Sequence, residues 1–422
     1  MKVLHINKSD HNGGAALAAV RLLDALRDND TQAQMLVLQN SSRHPEITSI
    51  AKTGPSRFYQ KLKFLGEVAW FTTHEKNRQN RFSFSSAMAG SDLSQHPLVK
   101  NADILHLHWI NQGFLSLKGL KKLIQTGKPI VWTLHDLWPV TGGCHYPGTC
   151  EGFINTCGNC PLLKGEAEND LSARQYAKKQ NIYSNASITL VGCSNWIKNM
   201  AAKSSLAKNI KQPIYQIFNP IDIHLFSPED KEGIRNQLGL PSNKILILFG
   251  AANISDPRKG TQLLLKALQN LASVQPNLRK KIELIAFGKN SQSFQENLPF
   301  ILHNAGVVNS QKKMAQLYQA ADIFVLPSLQ DNLPNTVVEA LACGTPVVAF
   351  NTGGVPEMIQ HKENGYITDS GNWKGLVDGI LYVIKNSPNM SSNARNFALN
   401  NFAPHIIANK YKALYQSLSG NP

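Results

Sequence analysis

Two carboxylates, Asp331 and Glu339, stand in PSLQDNLPNTVVEALACGTPVVAFNTGGVPEMI. Pro334 suits the first turn of a helix, which puts Asp331 on the loop before that helix and Glu339 on its second turn. The backbone amides around Asn332, Leu333 and Asn335 lack intrahelical partners there and favour an anion above the helix start. One carboxylate can face a sugar while the other accepts hydrogen bonds from ribose hydroxyls. Upstream, FGAANISDPRKG follows an apolar strand and precedes a helix, with Arg258 and Lys259 adjacent on the turn. Two such cations suit a diphosphate, Arg258 through its fork of donors and Lys259 as a point charge. A solvated pair on a turn is the plain alternative.

A histidine candidate lies in PIVWTLHDLWPVTGGC, where His135 and Asp136 follow a strand. Ligands of open α/β sheets bind outside that carboxyl edge, so His135 can hydrogen-bond a sugar hydroxyl or a developing charge, or be a satisfied structural histidine. His106 and His108 in ILHLHW fit a packed or edge role better. In SDHNGGAA, Gly13 and Gly14 let backbone amides approach a phosphate at a helix start, although a plain tight turn has the same composition. The G-x-G-x-x-G fingerprint is absent, which argues against a nicotinamide cofactor.

Four of the six cysteines, Cys144, Cys150, Cys157 and Cys160, crowd into GGCHYPGTCEGFINTCGNCP. Cys157 and Cys160 have the spacing of a thiolate half-site, and four thiolates suit a structural zinc that would staple a Gly-rich loop. Disulfides and packed thiols are the other readings, and His145 is a substitute ligand. A closed four-ligand site leaves no position for catalysis.

The elements that must hold these residues repeat as strand and helix. A strand at 2–6, a helix at 14–26 and strands at 34–38, 104–110, 130–134 and 188–193 describe one parallel, doubly wound sheet. After the Pro-rich FNPIDIHLFSPED the pattern restarts. Strands are expected at 244–249, 282–287, 323–327 and 346–350, and helices at 260–271, 314–320 and 335–342. The expected division is 1–216 and 217–404, with a C-terminal helix near 405–418.

The chain has 422 residues, 42% hydrophobic and 17% charged, a globular composition long enough for two domains. A net charge of +15 favours anionic partners. No nucleic-acid recognition module accompanies it, so nucleic acid is not expected as a partner. Residues 51–90 carry Lys52, Arg57, Lys61, Lys63, Lys76, Arg78 and Arg81 against Glu67 and Glu75, interleaved with aromatics. That stretch reads as a solvated basic helix face or as a contact for anionic lipid. The opening MKVLHINKSD lacks the apolar run of a signal peptide, and the expected location is cytoplasmic.

At the glycine loop, TLHD, NPID, RKG and the spacing of Asp331 and Glu339, the chain resembles glycosyltransferase family 4 over essentially its whole length. Asp331 replaces the first glutamate of that family's E-x(7)-E motif, and Glu339 keeps the second. The TGGCHY and CGNCP segments resemble the subset acting in colanic acid, capsule or O-antigen assembly. The resemblance implies a GT-B fold, two facing Rossmann-like domains with a cleft between them and residues 405–422 crossing back onto the first. It implies a retaining hexosyltransferase with a UDP- or GDP-sugar as co-substrate and a lipid-linked or oligosaccharide acceptor. The acceptor would bind the first domain and the donor the second, with peripheral attachment at the cytoplasmic face of the inner membrane. His135 would contact the transferred sugar, Asp331 its hydroxyls and Glu339 the ribose. Arg258, Lys259 and the helix amides would stabilise the leaving diphosphate, with no metal or other cofactor needed for chemistry. A sugar-nucleotide epimerase of the same fold and a non-catalytic basic binding protein are the competing readings.

Overall fold

The computed structural model describes residues 1–11, 13–165, 167–184, 186–210, 212–295 and 297–420. Contacts divide the chain into two units, Met1–Asn219 with Ile407–Pro422, and Pro220–Ile406. Each is a parallel sheet flanked by helices.

The first sheet has strands β1 (Lys2–Ser9), β2 (Gln32–Gln39), β3 (Ile47–Ser49), β4 (Ile104–Leu107), β5 (Ile130–Leu134), β6 (Ile188–Gly192) and β7 (Tyr215–Gln216). They run in the order β3-β2-β1-β4-β5-β6-β7, so the chain reverses its winding direction between β1 and β4. β4, β5 and β6 are buried at every residue, as expected for strands covered on both faces. Ala19, Leu22, Leu23 and Leu26 of the helix Gly14–Arg27 pack on one face with Val3, Met35 and Ile104. The C-terminal helix Pro404–Ser419 adds Ile407, Ala408, Tyr411, Leu414 and Tyr415 to the same core. Burying each such aliphatic side chain contributes roughly 1.5–3 kcal/mol.

The second sheet has β8 (Ile245–Asn253), β9 (Ile282–Lys289), β10 (Ile301–Gly306), β11 (Ile323–Leu326), β12 (Val347–Asn351) and β13 (Gly365–Asp369), in the order β10-β9-β8-β11-β12-β13. Its reversal falls between β8 and β11. Ligands of such sheets bind outside the carboxyl ends of the strands at that reversal, and the loops carrying Arg258, Lys259 and Asp331 leave those two strands. A 30-residue helix, Trp373–Phe402, lies against this sheet, with Leu376, Ile380 and Val383 in the core.

Candidate active site

In the second unit, two loops bring Lys259 and Asp331 together, with Arg258 beside Lys259 and Glu339 on the helix that follows. After β8 the chain turns through a short 3-10 segment, Pro257–Lys259, whose first amide is capped by Asp256. Gly260 ends it at φ 66°, and a Cβ there would sit 1.9 Å from the Pro327 carbonyl oxygen. Only glycine allows that approach, which clamps the cationic turn against the end of β11. The Leu329 amide donates to the Arg258 carbonyl at 2.7 Å and closes the clamp. Lys259 Nζ then lies 2.7 Å from Asp331 Oδ2, both side chains partly exposed. Arg258 is the outer cation, forked onto Asp256 at 2.7 and 3.2 Å. Burial alone would raise the Asp256 carboxyl, but the hydrogen bonds from Arg258 hold it below its ordinary range.

Asp331 is fixed from the opposite side by the glycine pair after β12. Gly353 has φ 55°, and a Cβ on it would meet the Asp331 carbonyl oxygen at 1.6 Å. The Gly354 amide donates to the Asn332 carbonyl at 2.9 Å. Asn332 and Leu333 are buried, and Pro334 is the N-cap of the helix Asn335–Ala342. Glu339 lies inward on that helix, 5% exposed, and its Oε2 accepts from the Tyr318 hydroxyl at 3.2 Å. It is therefore a held carboxylate rather than an outward-facing one.

In the first unit, His135 follows β5 and is half-buried. Its Nε2 is 3.1 Å from His108 Nδ1, and His108 Nε2 is 2.9 Å from His5 Nδ1. Burial drives the His135 pKa down to about 4, against the opposing pull of Asp136. Burial would raise the Asp136 carboxyl, but His145 and the N–H groups of Trp138 and Trp109 hold it low. His106 donates or accepts at both nitrogens, 2.6 Å from the Tyr415 hydroxyl and 2.8 Å from Thr133. His106 and His108 are thus packed core groups, and His106 ties the C-terminal helix to the sheet. Gly13, at φ 91°, caps the helix Gly14–Arg27. Both Gly13 and Gly14 are exposed, while Asn12 of the same loop lies outside the described residues.

Cys144, Cys150, Cys157 and Cys160 all line one cavity with Phe84 and Phe153. Cys157 (φ 58°), Gly158 (φ 104°) and Asn159 (φ 46°) form a left-handed knuckle between the two cysteines of the C-x-x-C pair. Cys157 Sγ accepts the Gly142 amide at 3.3 Å. Burial pushes the Cys157 thiol up to about 12 and Cys160 to about 11. His145 is not a spare ligand: Nδ1 is 2.7 Å from Asp136 and Nε2 is 2.9 Å from Ser85, so the substitution expected from sequence fails. Among the described residues, the group of side chains whose ligand atoms lie close enough for a metal, within 4.8 Å of one another, is His5, His106 and His108, and the four cysteines do not form such a group.

Sequence reading missed two features. The glycine clamps depend on strands far apart in sequence becoming neighbours. The His5 contribution is visible only once β1 and β4 are aligned in parallel, which pairs His5 with His106.

Residues 230–400 match the family described as glycosyl transferases group 1. The putative colanic acid biosynthesis glycosyl transferase WcaC of Escherichia coli K12 is 27% identical over 377 residues, covering 85% of each chain. Anabaena Alr3699/HepE, solved in complex with UDP, aligns over 99% of this chain and 100% of its own with TM-score 0.65 at 18% identity. WaaG, a glycosyltransferase involved in lipopolysaccharide biosynthesis, aligns over 99% of this chain and 100% of its own with TM-score 0.61 at 15% identity. The sheet order, the loops at its reversal and these similarities agree: residues 230–400 form a glycosyl transferases group 1 domain, and the chain is a glycosyltransferase of the GT-B fold similar to the putative colanic acid transferase WcaC.

Proposed function

We propose that the enzyme moves a hexose-type sugar from a UDP- or GDP-sugar to a lipid-linked or oligosaccharide acceptor of a bacterial surface polysaccharide, retaining the anomeric configuration. The observation that carries this reading is the Lys259–Asp331 pair, 2.7 Å apart and held by two glycine clamps at the carboxyl edge of the second sheet. A bound donor exchanges that pairing for complementary ones. Lys259 and Arg258 turn to the diphosphate, and Asp331 accepts from hydroxyls of the transferred sugar. The amides around Asn332 and Leu333 add dipoles toward the same charge. Fixed cations stabilise the charge that develops on the leaving diphosphate, so no divalent ion is required for chemistry. Glu339, steadied by Tyr318, accepts from the ribose, and His135 hydrogen-bonds the transferred sugar. The donor belongs to the second unit and the acceptor to the first. The UDP complex of the Anabaena relative supports a uridine donor.

Incubation with UDP- and GDP-sugars and a lipid-linked oligosaccharide tests the reaction. Nucleotide release should match product formation, and the proton spectrum should show the donor's anomeric configuration in the product. An epimerised sugar formed without acceptor, or an inverted product, would remove this reading.

Membrane attachment is part of the proposal. Phe58, Tyr59, Leu62 and Leu65 are exposed on the helix Gly54–Thr72 beside exposed Arg57 and Lys61. Apolar and basic residues together suit an anionic lipid surface. Among the described residues, no helix is long and apolar enough to cross a membrane. The protein should sediment with phosphatidylglycerol vesicles, and Leu62→Asp should leave it in the supernatant. Equal sedimentation of the two proteins would count against this surface.

A structural zinc on Cys144, Cys150, Cys157 and Cys160 completes the reading. The fit rests on four cysteines lining one cavity and on the left-handed knuckle between Cys157 and Cys160. Purified protein should contain about one zinc, and Cys157→Ser should lose the metal and melt at lower temperature. Metal-free protein with full activity would make these residues packed thiols.

A further inference from the structure

The first unit holds a row of imidazoles that the transfer reaction leaves unexplained. It starts at His135 and runs through His108 to His5, across contacts of 3.1 and 2.9 Å. We infer that His108 and His5 are positioning residues that fix the tautomer of His135, with its proton on Nδ1 and its lone pair on Nε2. This deepens the proposed role of His135 and rests on it for its catalytic consequence.

The tautomer follows from counting protons. Burial keeps His108 far below its ordinary pKa and His5 near 3, so all three rings are neutral at physiological pH. Each neutral imidazole carries one proton, and each of the two N···N contacts needs one proton between its nitrogens. Only two arrangements satisfy both contacts. In the first, His135 donates from Nε2 to His108, His108 donates from Nε2 to His5, and His5 keeps its own proton on Nε2. His5 is fully buried, and its Nε2 has no hydrogen-bond partner among the described residues. A buried N–H without an acceptor costs on the order of 1–3 kcal/mol, and orphaned donors are rarer in proteins than orphaned acceptors. In the second arrangement every proton moves to Nδ1. His5 donates to His108, His108 donates to His135 Nε2, and His5 Nε2 is a bare lone pair. That arrangement leaves no orphaned donor at His5.

The rest of the packing holds the row in place. The His108 carbonyl accepts from Trp132 Nε1 at 3.0 Å, and its ring stacks at 4.2 Å on His106. His5, His106 and His108 have the proximity of a metal site. Both nitrogens of His106 are, however, committed to the hydroxyls of Tyr415 and Thr133, so a metal bound by His106 would break one of these buried hydrogen bonds.

Long-range proton–nitrogen correlation on full-length protein labelled with ¹⁵N-histidine reads the tautomers directly, with His135→Gln assigning the resonance. The wild type should show His135 protonated on Nδ1. His108→Leu should shift His135 toward the Nε2–H form and lower kcat by about tenfold or more with KM little changed, while His108→Gln, which keeps an amide donor, should recover part of both. His135 protonated on Nε2 in the wild type, or a metal bound to the three histidines, overturns the assignment. So does His108→Leu with unchanged tautomer and kcat. If His108→Leu does not fold, the wild-type spectrum alone decides. Full transfer by His135→Ala would instead end the catalytic role of His135 and leave the tautomer assignment standing.

Discussion

Lys259→Ala is expected to lower kcat/KM by about thirtyfold to a thousandfold, or roughly 2–4 kcal/mol of transition-state stabilisation, with the melting temperature nearly unchanged. Lys259 lies on a partly exposed turn, so its removal empties no core. On the proposed reading its loss removes a cation from the leaving diphosphate, and it leaves Asp331 without its 2.7 Å partner. Two like-signed effects follow. The diphosphate loses a point charge, and a bare carboxylate now stands beside it. Steady-state kinetics with a saturating acceptor checks the result, and wild-type turnover would remove Lys259 from the donor site. Lys259→Arg should recover only part of the loss, because a planar fork does not reproduce a compact ammonium.

Glu339 calls for a different pair of variants because it is buried. Glu339→Gln keeps the volume and an acceptor for Tyr318, so it should fold normally. Removing the charge from a hydrogen bond to a ribose hydroxyl should raise the donor KM by about tenfold to a hundredfold, the range of a charged hydrogen bond worth roughly 1.5–3 kcal/mol. Glu339→Ala adds a cavity beside Tyr318 and should lower the melting temperature as well as activity. Comparing the two separates recognition from packing. If the glutamine variant keeps the wild-type KM for every donor tested, the carboxylate serves the helix and not the ribose.

The helix Asn335–Ala342 was readable to the residue, because Pro334, the apolar run and Gly344 mark its ends independently. The central strands were equally plain, since strands buried on both faces are continuous apolar runs. Edge elements were not. β10 reads ILHNAG, is exposed or half-exposed throughout, and has no apolar alternation to betray it. β7 has only two residues. The helix Trp373–Phe402 hides behind Pro388, which ordinarily signals a break.

For the site, residue type and local turn chemistry placed Lys259 and Asp331 on loops at a sheet edge. Their pairing depends on β8 and β11 being neighbours, a relation between segments far apart in sequence. The clamps at Gly260 and Gly353 have the same origin, since what a glycine approaches is decided by the sheet and not by its own neighbours. Glu339 shows the limit of helical periodicity. Its position on the second turn was legible, but its burial depends on Tyr318 from another helix.

Calorimetric titration of UDP and of GDP into the wild type and Lys259→Ala, both in EDTA, tests the donor site most directly. One of the two nucleotides should bind the wild type at a single site, with the same affinity when Mg²⁺ replaces EDTA, and should bind Lys259→Ala at least about tenfold more weakly. Failure of both nucleotides to bind the wild type, or binding that vanishes in EDTA and returns with Mg²⁺, would contradict a diphosphate site built from Lys259, Arg258 and the loop amides.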